Sequence, residues 1–332
     1  MIPSPIRRFA LGVLLAASAW HASAQQAHPW WQAFHETTLD LLLANAGPGG
    51  DDRAQRLAFE ARATSAYLKA RVYSVRLETA RVLVEVSARE MRLLEAEGDS
   101  PELVRARLWL DECERRGHAF LVLRTESIAE LAEALHDHPP AEVLAGRLQS
   151  TLSEPRLPMP DYALPEALSG LVLRQRPDVQ AAEQALVVAG RDSASDQLRL
   201  ARYLQALAQD IRPEDRDVQP SAIEDDHLAQ VMQQARSEVA GRLAQVQEGG
   251  RRADAQLERV RLLARRQEAQ SASGHVPERE ALRAMREVLV AQDWLAVAVG
   301  VADLDWVAFQ VSIGGAGQAR LDELLGARRE EE

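Results

Sequence analysis

The chain has little in it that would tie chemistry to one place. Of its 332 residues one is cysteine and one, Lys69, is lysine, although Lys and Arg together number 39. A lone Cys113 cannot close an intrachain disulfide, so it reads as a small buried hydrophobe and stability has to come from packing. Aromatic residues make up 5%, whereas alanine and leucine are abundant, which favours helix and argues against an all-β protein. No H-E-x-x-H, no G-x-S-x-G and no acid with a plausible base is present, so no enzyme activity is expected. His136 and His138 are only two ligands on a proline-bounded loop, short of a metal set. Gly47-Pro48-Gly49-Gly50 lacks the preceding strand and the G-K-[ST] of a phosphate loop. No metal and no cofactor is expected. A net charge of −11 with no basic patch excludes nucleic acid and anionic lipid headgroups as partners.

What the chain does have is apolar and charged in helical proportions, 46% and 27%, enough to bury one or two cores. Its first residues hold Arg7 and Arg8, an apolar run from Phe9 to Ala17, and Ala22-Ser23-Ala24. A positive start, a short apolar middle and an A-x-A site predict a signal peptide over 1–24, cut after Ala24. The run is far shorter than the roughly 20 residues a membrane span needs. No cysteine follows the cut, so a bacterial lipoprotein anchor is not expected. The predicted location is the periplasm.

Helix signals then divide the chain. Trp30-Trp31-Gln32-Ala33-Phe34 leads into a helix from about Thr38 to Ala46, and Asp51-Asp52 opens the next. Leu77, Ala80, Val84, Ser87, Met91 and Leu94 fall at alternating spacings of three and four, a heptad-like seam. Gly98-Asp99-Ser100-Pro101 breaks that helix, and a second runs from Glu102 to about Leu135, giving a helical hairpin. A proline-rich stretch follows (Pro155, Pro158, Pro160, Pro165). Beyond it helices are predicted over 177–208, 224–270 and from the break Ser273-Gly274-His275-Val276-Pro277 to about Ser312. Asp293, Asp303 and Asp305 interrupt that last apolar helix and argue against its spanning a membrane. Trp109, Trp294 and Trp306 sit among helical apolar positions and are expected in the core.

The two halves repeat each other. Leu-Leu-Ala ahead of Asp52 resembles Leu-Val-Leu ahead of Asp178, and Gly98-x-x-Pro101-Glu102 resembles Gly274-x-x-Pro277-Glu278. The organisation expected is a first helical repeat over 25–150, a linker over 151–170, a second repeat over 171–316 and a frayed acidic tail over 317–332. The second repeat opens on Arg176-Pro177-Asp178. Pro177 suits a first helical position, Asp178 and Glu183 favour the positive end of the helix dipole, and Ala181, Ala182, Ala185 and Ala189 form a small-residue stripe.

These residues resemble the outer-membrane efflux proteins, the TolC-like channels of tripartite export systems. Leu164-Pro165 and Leu173-Arg174-Gln175-Arg176-Pro177-Asp178-Val179-Gln180-Ala181-Ala182-Glu183 are similar to the family's L-P…L-x-R-P-D-[VI]-x-A-A-E signature. Trp30-Trp31, Phe34, Leu39 and Leu42 resemble its opening, and Val288–Asp293 with Gly314-Gly315 its closing helix and terminal glycines. The resemblance implies long helices, four barrel strands per chain, a homotrimer, and a periplasmic adaptor (membrane fusion) protein that links the channel to an inner-membrane pump. It also implies that the hairpin turns Gly98, Asp99, Ser100, Pro101 and Gly274, His275, Val276, Pro277 are the tips that meet the adaptor, while Arg176, Pro177, Asp178, Ala181, Ala182 and Glu183 serve the structure.

One departure is large. Barrel strands need about 9–11 residues with lipid-facing alternation. Tyr67–Leu77 alternates only loosely before the helical seam begins, and 203–228 is acidic with two prolines. The expected fold is therefore all-α, duplicated hairpins in a TolC-like helical bundle with barrel strands absent or vestigial. The expected role is an efflux component acting through its hairpins; the alternative is a soluble periplasmic helical scaffold or interaction protein that has lost the channel.

Overall fold

The computed structural model describes residues 29–46, 53–98, 100–136, 141–154, 156–160, 166–189, 202–217, 227–272 and 276–315. The predicted signal peptide, the Gly47–Gly50 break, His138, the acidic tail and tip residues Asp99, Gly274 and His275 lie outside them. In chain order the helices are α1 (Thr37–Ala46), α2 (Arg53–Glu97), α3 (Pro101–Ala134), α4 (Ala141–Leu152), α5 (Pro177–Ala189), α6 (202–208), α7 (His227–Ala272) and α8 (Glu278–Ser312), with 3-10 turns at Trp30–Phe34, Gly170–Gln175 and Pro213–Asp217. Among the described residues the strands are β1 (Leu168–Ser169) and β2 (Asp210–Ile211), two residues each, paired antiparallel with Leu168 opposite Ile211. Two residues cannot cross a bilayer. The expected all-α fold with vestigial strands is the one observed, and the loosely alternating Tyr67–Leu77 is wholly helical.

Two compact units divide the chain. Among the described residues, the first is drawn from Ser65–Met159 and Gly249–Val301, the second from Ser23–Thr64, Pro160–Glu248 and Ala302–Glu332. In the first unit α2, α3, α7 and α8 contribute the apolar faces. Val72, Val75, Val260, Leu295 and Val299 gather with Leu157 in one cluster, and Val82, Leu83, Val86, Leu282, Met285 and Leu289 gather around Cys113 in another. Cys113 is buried as expected, and burial pushes its thiol pKa up. Of the predicted seam, Leu77, Ala80, Ser87 and Leu94 are buried while Val84 and Met91 are half-buried.

Proline-flanked α4 has no counterpart in the sequence reading. Its Leu144, Leu148 and Leu152 recur every four residues and are all buried, but one short stripe between prolines is a weak signal. The fully buried Arg71 of α2 secures the end of α4, donating hydrogen bonds to the carbonyls of Thr151, Glu154 and Arg156. Thr151 belongs to the last turn of α4, while Glu154 and Arg156 follow it, so Arg71 ties the helix end to the chain that leaves it.

Helix α8 is long and apolar enough to cross a membrane by length and composition, with a mean hydropathy of 1.4 over 18 residues, yet more than half of that window is buried inside the fold. Asp293 explains why it is a core helix. Its carboxylate, 6% exposed, accepts from Arg76 Nε at 2.8 Å and from the Arg116 guanidinium. Arg76 also stacks 4.1 Å above the Phe120 ring. A carboxylate so placed joins α2, α3 and α8 and would be stranded in lipid. Trp306 is in the core as expected, at 1% exposure, but Trp294 is not: it is 55% exposed. It shares the outward face of α8 with Val301, seven residues or two turns further on, because the inward face is already filled by Ala291, Leu295 and Val299.

Removing one partner of a buried ion pair leaves the other charges desolvated. Asp293→Ala is expected to lower stability by about 3 kcal/mol, read by urea denaturation. Asp111→Ala, which breaks a surface pair with Arg115, is expected to change it by less than about 0.5 kcal/mol.

Candidate functional site

The first hairpin turn is built from ordinary helix punctuation. Gly98 ends α2 at φ +103°, a left-handed conformation that other residues rarely adopt. Ser100 then caps α3: its hydroxyl accepts from the Leu103 N–H at 3.2 Å, and Pro101 occupies the first helical position. Of the second predicted turn, Val276 is half-buried and Pro277 exposed, directly ahead of Glu278 and Glu280 in the first turn of α8. Acidic residues there complement the helix dipole.

Ion pairs in the first unit bring the described parts of the two turns together. Arg279 reaches Glu97, the last residue of α2, at 2.7 Å and Glu102, the second residue of α3, with its other nitrogen. Arg89 pairs with Glu278. One layer below, Glu90 is 4% exposed in its side chain and accepts from Arg283 at 3.0 Å and Arg286 at 2.8 Å. Arg283 also reaches Glu102 at 3.2 Å. The start of α8 is thus fastened to both helices of the first hairpin.

Beneath the turns lies a cavity of about 660 Å³ lined from α2, α3, α7 and α8. Leu94, Ala106, Trp109, Leu263 and Val290 supply an apolar wall; Arg105, Arg259, Arg283, Arg286, Glu90, Glu102 and Glu287 supply the charges. Trp109, expected in the core, is half-buried at this wall. Its Nε1 is closed off from solvent, so the ring atoms it offers the cavity are carbon. Sequence reasoning missed every charge in this layer. The one available signal was Glu90, an acid three residues after Ser87 and four before Leu94 in the predicted seam; nothing pointed to its partners almost 200 residues away.

In the second unit the sequence marks that lie furthest apart converge. Arg176 donates to both carboxylate oxygens of Asp178, at 3.0 and 2.8 Å, to Glu238 at 2.9 Å and to the Ser312 carbonyl at 2.9 Å. Those hydrogen bonds from Arg176 hold the Asp178 carboxyl below the usual carboxylate range. Glu183 pairs with Arg174 at 3.0 Å. Arg53 bridges the Gln175 side chain and the Gly314 carbonyl. Trp30 is buried and donates to Glu60 at 3.2 Å; Gly315 rests against Leu57 and the Trp30 ring. Arg-Pro-Asp, Trp30 and the two glycines form one clasp between α5 and the end of α8. The alanine stripe differs from expectation: Ala182 is buried, but Ala181 and Ala185 are exposed, because α5 turns Val179 and Ala182 inward instead. Ala189's side chain lies outside the described residues.

One acid in this unit belongs to no clasp. Asp303 is fully buried, neither of its oxygens meets a hydrogen-bond donor, and burial, reinforced by Glu36, raises its pKa well above the carboxylate range. Among the described residues no group of three His, Cys, Asp or Glu side chains is placed to hold a metal ion.

The arrangement is similar to that of solved outer-membrane channels. CusC, solved in conformations that accompany folding and transmembrane channel formation, is 16% identical with a TM-score of 0.59, covering 95% of this chain and 98% of that one. The outer-membrane channel OprN is 17% identical with a TM-score of 0.58, covering 92% of this chain and 95% of that one. The Campylobacter jejuni CmeC outer membrane channel is 13% identical with a TM-score of 0.50, over 90% of this chain and 70% of that one. No protein-family model matches the chain, and no curated protein does. At these identities the likeness is one of fold, a TolC-like helical bundle.

Two outcomes follow for the second unit. A Cβ on Gly314 would lie 2.4 Å from the Gln175 carbonyl oxygen at φ +71°, so Gly314→Ala is expected to cost about 2 kcal/mol or more, measured by chemical denaturation. For Asp303 the folded pKa is above the unfolded one, so its contribution favours folding at low pH and is lost as pH rises through the folded value. Thermal midpoints across that rise should fall less steeply for Asp303→Asn than for the parent chain.

Proposed function

We propose that this chain is an exported, efflux protein-like component of a tripartite export system, and that its two hairpin turns together meet a periplasmic adaptor protein coupled to an inner-membrane pump. The observation that carries this reading is the bridge from Arg279 to Glu97 and Glu102. It makes a composite surface from turns almost 180 residues apart in sequence, with Gly98 and Pro101 exposed on one side and Pro277 on the other. Ser100 and Val276, half-buried, and Asp99, Gly274 and His275 complete the proposed contact. The likeness of fold to outer-membrane channels supports the same reading, as do the charge pattern and the A-x-A site of an exported chain. A homotrimer is the assembly that the family resemblance implies.

A second reading has its own observation. The described strands are two residues long, against the roughly 9–11 that a barrel strand needs. A soluble periplasmic scaffold that keeps the hairpins and has lost the channel satisfies this directly. Both readings use the same tips and differ in whether the chain lines a pore.

Replacing Pro101 and Pro277 with aspartate keeps a residue acceptable at a helix start. Such variants are expected to retain full helicity by circular dichroism and to lose adaptor capture in pull-down from periplasmic extract; unchanged capture refutes the tip assignment. Full recovery of the exported chain in detergent-free extract supports the scaffold. Restored drug resistance in a strain lacking its own outer-membrane channel supports the efflux component.

A further inference from the structure

The cavity beneath the tips has a polarity that the adaptor reading does not use. Of its four arginines, Arg283 and Arg286 are committed to Glu90 and Glu102. Arg105 and Arg259, on α3 and α7, are exposed and form no hydrogen bond or ion pair with any described residue. Glu287 is the one lining carboxylate in the same condition. Two uncommitted guanidiniums and one uncommitted carboxylate therefore line the cavity, which is net positive on a chain whose net charge is −11. Behind them Leu94, Ala106, Leu263, Val290 and the carbon of the Trp109 ring form a continuous apolar wall, and the volume of about 660 Å³ is within the range of small-molecule sites.

We infer that this cavity binds an amphiphilic organic anion, its single carboxylate held by Arg105 and Arg259 and its apolar body laid against Trp109, Leu263 and Val290. Charge and polarity both select this class. A cation would meet two uncommitted guanidiniums against one carboxylate, and a compact inorganic anion would leave the apolar wall in water. A guanidinium offers a carboxylate paired donors in matching geometry. This site differs from the adaptor contact, since Arg105, Arg259, Trp109, Leu263 and Val290 are not residues of the turns.

The test is isothermal titration of the full chain with two carboxylates, decanoate below its micellar concentration for a lipid-derived chain and 1-naphthaleneacetate for an aromatic acid. Saturable one-site binding of at least one is expected, and the tighter of the two identifies the source of the natural ligand. Because Arg105 and Arg259 are exposed and unpaired, the double variant R105A/R259A is expected to fold normally and to weaken that binding by about tenfold or more. Glu287→Gln should tighten it, decanol should bind at least about tenfold more weakly than decanoate, and Val290→Trp should block it by filling the wall. No saturable binding of either acid, equal affinity in R105A/R259A, or decanol binding as tightly as decanoate overturns the inference.

Discussion

Asp293 sits in the middle of the one described helix long and apolar enough to cross a membrane, and its carboxylate is held by Arg76 of α2 and Arg116 of α3. That contact decides what α8 is. The helix passes a membrane span's test of length and hydropathy, but a buried carboxylate with two arginine partners belongs to a protein core. Glu90 repeats the arrangement in the opposite sense, an acid on α2 held by two arginines of α8. Replaced by well-packed apolar residues, such pairs would forfeit little net stability. Their consequence is register: a one-turn slide of α8 along α2 would leave both carboxylates buried without partners. The alignment of the hairpin turns above them depends on that register, and so does the shape of the cavity between.

The second unit uses the same chemistry at a helix end. Arg176 satisfies the Ser312 carbonyl, one of those left without a partner where α8 stops, while Asp178 and Glu238 neutralise it. The Arg-Pro-Asp run is thus more than a good helix start. Pro177 sets the backbone, and the residues either side of it make a bidentate pair whose remaining donors reach the far end of the chain. Its neighbour Gln175 presents the carbonyl against which only a glycine at 314 can lie. Beside this clasp the described strands are the two-residue pair Leu168–Ser169 and Asp210–Ile211.

Much of this was legible in order along the chain. Gly98 and Pro101 mark a helix end and a helix start because left-handed backbone and a missing N–H are properties of single residues. Alternating spacings from Leu77 to Leu94 mark a buried stripe because side-chain direction follows helical period. Short, bracketed elements were not legible: the three leucines of α4 carry too few turns to be distinguished from loop. Outward and inward faces were confused at Trp294 and at Ala181, since both faces of those helices are apolar in composition and only the neighbouring helix decides which is covered.

By itself, then, the amino-acid sequence determined the helical class, the duplication, the hairpin ends and, among the described residues, strands too short for a barrel. Each follows from local backbone preference or from periodicity within one element. Tertiary structure alone decided which charges are buried, which turns stand side by side, and that Arg176, Gly314 and Trp30 share one junction. Those outcomes depend on partners separated by up to nearly 300 residues, and complementarity of charge and shape at such separations leaves no periodic trace in a single chain.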